Sequence, residues 1–223
     1  MPIAVALPRG RMLPDALGLL AASGLPVDAG DAGSPDLVIE REGWRFLLAR
    51  PRDVGLYVEN GVADLGVAGK DTLLEHPRQV IELLDLKFGC CRLVLAVPAA
   101  AAHARTAPTD LRALRRVATK YPRLTEGFLQ AGGSSAQVVE VHGAVEMAAA
   151  LGLADAVVDL VQTGRTLKSN GLVETAVIVS SSARLVVNPV AFRVMAPELQ
   201  RCLERLRQTV SARAGLAAAG PQA

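Results

Sequence analysis

The chain has 223 residues, 51% hydrophobic and only 3% aromatic, with 24 Lys and Arg against 22 Asp and Glu. This apolar content suffices for one large or two small cores. A net charge of +2 with so few rings lacks the basic face and stacking aromatics of a nucleic-acid surface, so no nucleic-acid partner is expected.

At the N-terminus, MPIAVALPRGRM is too short an apolar stretch, with no basic residues before it, to be a signal or a spanning helix. A cytoplasmic protein without membrane contact is expected. From there short apolar runs alternate with helix-period segments, the pattern of βα units around a parallel sheet, so the class is α/β. A strand at 2–7 (PIAVAL) precedes a helix over 12–22, and strands at 36–40 and 44–49 (WRFLLA) lead to a helix over 51–60. Strands follow at 63–68 and 92–97 (RLVLAV), then a helix at 109–114 and a strand at 115–119. Helix 122–131, strand 136–141, helix 143–152 and strand 155–161 continue the alternation. The last helix, 191–212, carries Leu199, Leu203 and Leu206 on one face and Arg and Glu on the other, and should dock on a core.

Composition changes at 98–109, PAAAAHARTAPT, which reads as a crossing to a second domain. From 170 onward NGLVETAVIVSSSARLVVNP reads as one or two long strands leading back. The expected layout is a first α/β lobe of 1–96 plus 178–214, a second lobe of 99–175 inserted into it, and a frayed tail at 215–223. Two lobes joined by two crossing strands leave a cleft, the usual place for a ligand.

Ligands of open parallel sheets sit beyond the carboxyl ends of the strands. After the first strand, LPRGR places Arg9 and Arg11 around Gly10. After the third, ARPRDV sets Arg50 and Arg52 at a helix start, where Pro51 suits the first turn and Asp53 the dipole. Two guanidiniums there suit an anion. GVAGKD, 66–71, supplies Lys70 but is no Walker A loop, since neither Ser nor Thr follows the lysine. His76, His103 and His142 are scattered, as are Cys90, Cys91 and Cys202, so no structural metal is expected.

The stretch ADAVVDLVQTGRTL, 154–167, sets Asp155 and Asp159 among Val157, Val158, Leu160 and Val161. It reads as a buried strand that delivers polar groups to its carboxyl end. There TGRT offers the hydroxyls of Thr163 and Thr166, the conformational freedom of Gly164 and the N–H groups of a helix start, all suited to a phosphate monoester. Carboxylates nearby accept from vicinal sugar hydroxyls and favour positive charge developing on the ring, which suits a 5-phosphoribosyl group. The plainer alternative is a strand ending in a capped turn.

LPRGRM (7–12), RPRDVGLYVENGVADLGVAGKDTLLE (50–75), LLDLKFGCCRLVLAV (83–97), RVATKYPRLTEGFL (116–129), LGLADAVVDLVQTGRTLKSNGL (151–172) and SSARLVVNP (181–189) occur in that order. Together they closely resemble the ATP phosphoribosyltransferase family over about 3–190. The resemblance implies a two-lobed fold like that of type II periplasmic binding proteins. It also implies Mg²⁺-dependent transfer of 5-phosphoribose from 5-phosphoribosyl 1-pyrophosphate (PRPP) to N1 of the ATP adenine, releasing pyrophosphate, the first step of histidine biosynthesis.

On this resemblance Asp155, Asp159, Thr163, Gly164, Arg165 and Thr166 hold the ribose and 5′-phosphate. Arg50 matches the arginine before the family's helix and stabilises the leaving pyrophosphate, while Arg9, Gly10, Arg11 and Lys70 serve the phosphates of PRPP or ATP. Glu140 and Glu146 are candidates for Mg²⁺ or ribose. Adenine N1 needs no deprotonation, so orientation and charge placement suffice without a general base. Three positions depart from the family: Ser34-Pro35-Asp36 lacks the basic residue that many relatives carry after the serine, Arg9 replaces a lysine, and Gln162 stands where relatives often have an acid.

The chain resembles the family's short form, which works with a separate regulatory subunit like histidyl-tRNA synthetase. It is therefore expected to be a homodimer alone, insensitive to histidine, and a hetero-oligomer with that partner. Two other functions fit parts of the pattern: a bilobal small-molecule-binding protein without catalysis, or a phosphoribosyltransferase for another base. The missing export signal argues against the first and the other five motifs against the second.

Overall fold

Of the 223 residues, the computed structural model describes 2–104, 110–194 and 197–218. The chain divides into two units, Met1–Gly89 with Ser182–Ala223, and Cys90–Ser181. The first begins with β1 (Ile3–Pro8), α1 (Leu13–Ala22), β2 (Val38–Arg41), β3 (Trp44–Ala49), α2 (Pro51–Glu59), β4 (Leu65–Gly69), α3 (Lys70–Glu75) and β5 (Ile81–Asp85). The second holds β6 (Cys91–Pro98), α4 (Ala99–Ala104), β7 (Arg116–Thr119), α5 (Pro122–Ala131), β8 (Gln137–Glu140), α6 (Glu146–Ala150), β9 (Ala156–Val161), α7 (Arg165–Ser169) and β10 (Leu172–Ser181). The chain then returns to the first unit with β11 (Ala183–Val187), α8 (Pro189–Arg193) and α9 (Pro197–Ala218).

The first sheet has the order β2-β3-β1-β4-β11-β5, with β3, β1 and β4 parallel. β1 is apolar on both faces because helices cover both. Val5 and Leu7 join Leu13, Leu17, Leu20 and Phe46 on one side, together with Leu199, Leu203 and Leu206 of α9. Ala4 and Ala6 meet Val54 and Val58 of α2 on the other. Gly66 is required beneath α2, since an added Cβ would lie 2.7 Å from Val58 Cγ2 and 2.9 Å from Val54 Cγ1.

The second sheet runs β10-β6-β9-β7-β8, with β9, β7 and β8 parallel and β6 antiparallel to both β9 and β10. Val94, Ala96, Val157 and Val161 pack one face with Val145, Ala148 and Leu167. Leu93, Leu95, Val117 and Val158 pack the other with Leu129.

The division differs from the sequence expectation. Strand 92–97 belongs wholly to the second unit, because it pairs from Arg92↔Val161 to Ala96↔Val157. The crossings fall at 89/90 and 181/182, the first next to Gly89 with φ +62°. The alanines after Pro98 form α4, as their high helix propensity favours. Residues 105–109 of the expected crossing lie outside the described residues. The helix expected at 109–114 is a 3₁₀ turn, Leu111–Ala113, capped by Asp110, and α6 is shorter than the helix expected at 143–152.

The helix expected at 191–212 is two helices, α8 and α9, and Pro197 opens the second because its ring suits a first turn and not a helix interior. Residues 195–196 lie outside the described residues. Of the tail expected to fray, 215–218 is helical within α9, and 219–223 lie outside the described residues. α3, α4, α7, α8 and β5 are short elements that the periodicity did not separate from loops. Among the described residues no helix is long and apolar enough to cross a membrane.

Asn188 caps the return to the first unit. Its Oδ1 accepts from the N–H groups of Val190 (2.8 Å) and Ala191 (3.0 Å), and its Nδ2 donates to the carbonyls of Val58 (2.8 Å) and Glu59 (3.2 Å). The residue is only 7% exposed. Asn188→Ala should lower the unfolding free energy by about 2–4 kcal/mol, one helix cap plus carbonyls left without a donor. Chemical denaturation against the parent protein measures this.

Candidate functional site

Parallel strands bring their carboxyl ends to one edge of each sheet. In the first unit that edge carries Arg9, Gly10 and Arg11 after β1, Arg50 after β3 and Lys70 after β4. Gly10 has φ +98°, a conformation that favours glycine, and its carbonyl accepts from Leu13 N–H to start α1. The Arg9 N–H donates to the Ala49 carbonyl at 2.7 Å and its guanidinium to the Ser34 carbonyl at 3.2 Å, tying three loops together. The Ser34-Pro35-Asp36 segment is thus held at this edge by Arg9.

Arg50 is the N-cap of α2 in an extended conformation, followed by Pro51. Arg50 and Arg11 are exposed and make no ion pair among the described residues. Arg52 has a loose contact with Asp53 at 3.9 Å. Lys70 differs, because its ammonium lies 2.6 Å from Glu82 Oε2.

In the second unit β7, β8 and β9 end together. The buried Thr119 hydroxyl donates to the Val158 carbonyl and accepts from Tyr121 N–H, both at 2.9 Å, which turns the chain sharply into α5. Beyond β9 the TGRT turn places Gly164 at the N-cap of α7 with φ +74°. Among the described residues the N–H groups of Thr163, Gly164, Arg165 and Thr166 donate to no acceptor, so the turn presents four free donors. Asp159 is half-buried on the β9 face shared with Val157 and Val161, and its Oδ1 accepts from Leu160 N–H at 2.8 Å. Glu140 ends β8, exposed, 4.0 Å from His142 Nδ1, and the half-buried Glu146 opens α6. No three His, Cys, Asp or Glu side chains converge among the described residues.

Asp155 does not join this group. It precedes β9, at the amino end of the strand, about 20 Å of extended chain from the turn. Its Oδ2 accepts from the N–H groups of Arg115 (2.8 Å) and Arg116 (2.9 Å), fastening β9 to the start of β7. Burial pushes the carboxyl up, but those two backbone donors and the neighbouring guanidiniums outweigh it and hold it below the usual carboxylate range. A depressed carboxyl stabilises the fold above its unfolded pKa, and the contribution disappears as pH falls through the lower folded value. Asp155→Asn should therefore leave PRPP affinity within about threefold while weakening the dependence of stability on pH in the acid range. A large loss of PRPP affinity in a folded variant would restore Asp155 to the site.

The sequence reading also missed Glu82 and Arg184, which meet beside Lys70 at 3.2 Å. Burial pushes Asp85 up, yet the Lys87 side chain and N–H, the Ser182 hydroxyl and the Arg184 guanidinium outweigh that and bring it down to about 2.

Two α/β units connected twice, with anion-seeking loops at the carboxyl ends of their strands, define a protein of the type II periplasmic-binding-protein fold. The ligand-binding core of GluR0, solved with L-glutamate, shares this fold with a TM-score of 0.61 at 12% identity over 96% of this chain and 94% of that chain. The sequence matches the ATP phosphoribosyltransferase family over residues 50–208. The ATP phosphoribosyltransferase of Moorella thermoacetica is 46% identical over 210 residues, 92% of each chain. The ATP phosphoribosyl transferase (HisG:HisZ) complex from Thermotoga maritima matches with a TM-score of 0.80 and 30% identity over 95% of this chain and 98% of that one. The chain belongs to the ATP phosphoribosyltransferase family, as its six collinear motifs implied.

Proposed function

We propose that this chain transfers the 5-phosphoribosyl group of PRPP to N1 of the ATP adenine and releases pyrophosphate. The observation that carries the site assignment is the TGRT turn, whose four N–H groups have no acceptor among the described residues and lie at the carboxyl end of a strand bearing Asp159. The turn holds the 5′-phosphate through those donors and the Thr163 and Thr166 hydroxyls, and the Arg165 guanidinium adds charge. Asp159 accepts from the ribose hydroxyls and favours the positive charge that develops on the ring.

The N1 lone pair forms the new bond to C1′ as the C1′–O bond breaks, and that electron pair leaves with pyrophosphate. No proton need leave N1. Arg50 donates to the departing oxygens, and Arg9, Gly10 and Arg11 bind polyphosphate at the same sheet edge. Mg²⁺ is commonly held by one or two carboxylates plus substrate phosphates. Glu140 and Glu146 are the carboxylates offered for it, and it would neutralise charge on the leaving pyrophosphate.

The reaction is proposed to take place in the cytoplasm. The Thermotoga maritima neighbour was solved as a HisG:HisZ complex, which supports a hetero-oligomer with a regulatory subunit for this chain as well. The chain alone is proposed to be a homodimer. Incubation with ATP, PRPP, Mg²⁺ and pyrophosphatase should produce the absorbance of N1-(5-phosphoribosyl)-ATP. Binding of both substrates without product would favour the non-catalytic binding-protein reading.

A further inference from the structure

Beside Lys70 the first unit holds a connected set of charges that the transfer reaction does not use. Glu82 on β5 employs both carboxylate oxygens, Oε2 against Lys70 Nζ at 2.6 Å and Oε1 against Arg184 Nη1 at 3.2 Å. Arg184 on β11 also reaches Asp85 Oδ2 at 3.5 Å. That same oxygen accepts from Lys87 Nζ at 2.8 Å, while Asp85 Oδ1 accepts from the Ser182 hydroxyl at 2.9 Å. β4, β11 and β5 are neighbours in the sheet; Glu82 pairs with Val186, which pairs with Gly66 on its other side, so the Lys70 side chain reaches back from the Gly69 end of β4 to meet Glu82 beside Arg184.

Three observations separate Lys70 from the other cations of this edge. Arg11 and Arg50 have no carboxylate partner among the described residues, whereas the Lys70 ammonium is engaged at short range. The Lys70 backbone is fixed independently, its N–H donating to the Ser182 carbonyl at 3.0 Å, so the four-carbon side chain can swing without moving α3. Arg184 retains Asp85 if Glu82 is neutralised, so Lys70 is the only member of the pair around Glu82 that neutralisation sets free. The pair is also accessible, the Lys70 and Glu82 side chains being 30% and 31% exposed.

We infer that Glu82 is an internal competitor for Lys70, a specificity-setting positioning residue that withholds one cation from the polyphosphate edge until a ligand of higher charge displaces it. A ligand with one weak negative charge does not outbid a carboxylate at hydrogen-bond distance. The pyrophosphate group of PRPP or the triphosphate of ATP does, and gains the ammonium on arrival. Glu82 thereby raises the charge a ligand needs, a repulsive element of selectivity. The inference rests on the reading of this edge as a phosphate site.

The test is calorimetric binding of inorganic pyrophosphate to the full chain. Glu82→Gln should tighten pyrophosphate about three- to tenfold, the scale of one unit charge removed at several ångströms from a partly exposed site. Adding Lys70→Met to Glu82→Gln should abolish most of that gain, which a merely structural role of Glu82 would not predict. Should the amide variant fail to fold, Glu82→Asp withdraws the carboxylate from Lys70 and must move the affinity in the same direction. Equal or weaker binding by the folded Glu82 variant, in a protein that binds pyrophosphate, overturns the role of Glu82 alone. No pyrophosphate binding by parent or variant overturns the phosphate reading of the edge, and this inference with it.

Discussion

Gly164→Val should raise the dissociation constant for PRPP about 10²-fold while the circular dichroism spectrum stays that of the parent. Gly164 sits at φ +74° as the N-cap of α7. An L-residue in that region costs about 1–2 kcal/mol, and a branched one is a genuine outlier. Packing within the chain does not forbid the new side chain, because the nearest atom to an added Cβ is Val161 Cγ1 at 3.8 Å. The damage therefore falls on the turn. Relaxing φ rotates the free N–H groups of 163–166 away from a common centre, and each hydrogen bond lost to a charged phosphate is worth about 1.5–3 kcal/mol. Gly164→Ala, with the same strain and less bulk, should fall between parent and valine variant. Unchanged PRPP affinity in the valine variant would remove the 5′-phosphate from this turn.

Arg50→Ala should lower the single-turnover rate about 10²–10³-fold and leave ATP and PRPP affinities close to the parent values. A donor that meets charge as pyrophosphate departs is strongest in the transition state, and loss of one such donor has an effect of this size. The structure makes the experiment clean. Arg50 has no ion-pair partner among the described residues, so its removal strands no carboxylate, and Pro51 still starts the helix. Arg50→Lys keeps the charge but loses the planar fork, and should recover only part of the rate. A variant that binds substrates poorly but turns them over normally when saturated would make Arg50 a binding residue only.

The loops were legible because a βα unit changes hydrophobic period where its strand ends, so LPRGR, RPRD and TGRT stood out as polar turns after apolar runs. The docking face of α9 was legible for the same reason, and Leu199, Leu203 and Leu206 are all buried. Asp155 was misread because an acid flanking a buried strand looks alike at either end. Only the pairing of β9 with β7 reveals that its acceptors serve the Arg115 and Arg116 N–H groups. Membership of strand 92–97 was hidden in another way, since the strands of both sheets share one composition and the pairing of Arg92 with Val161 spans a long stretch of chain. Glu82 went unnoticed because IELLD is short and its partners come from a helix start, Lys70 of α3, and a distant strand, Arg184 of β11.

The pairing of Cys91 with Ser181 bears on how the second unit is joined to the first. Cys91 lies one residue inside the start of the second unit and Ser181 ends it, so its two ends lie on adjacent strands. The host ends are equally near, since the Ala183 N–H donates to the Phe88 carbonyl at 2.9 Å. A segment whose ends already meet adds little loop-closure entropy to the protein that receives it. The junction is therefore the place in this chain where one module can be exchanged for another with both sets of ends left where they are.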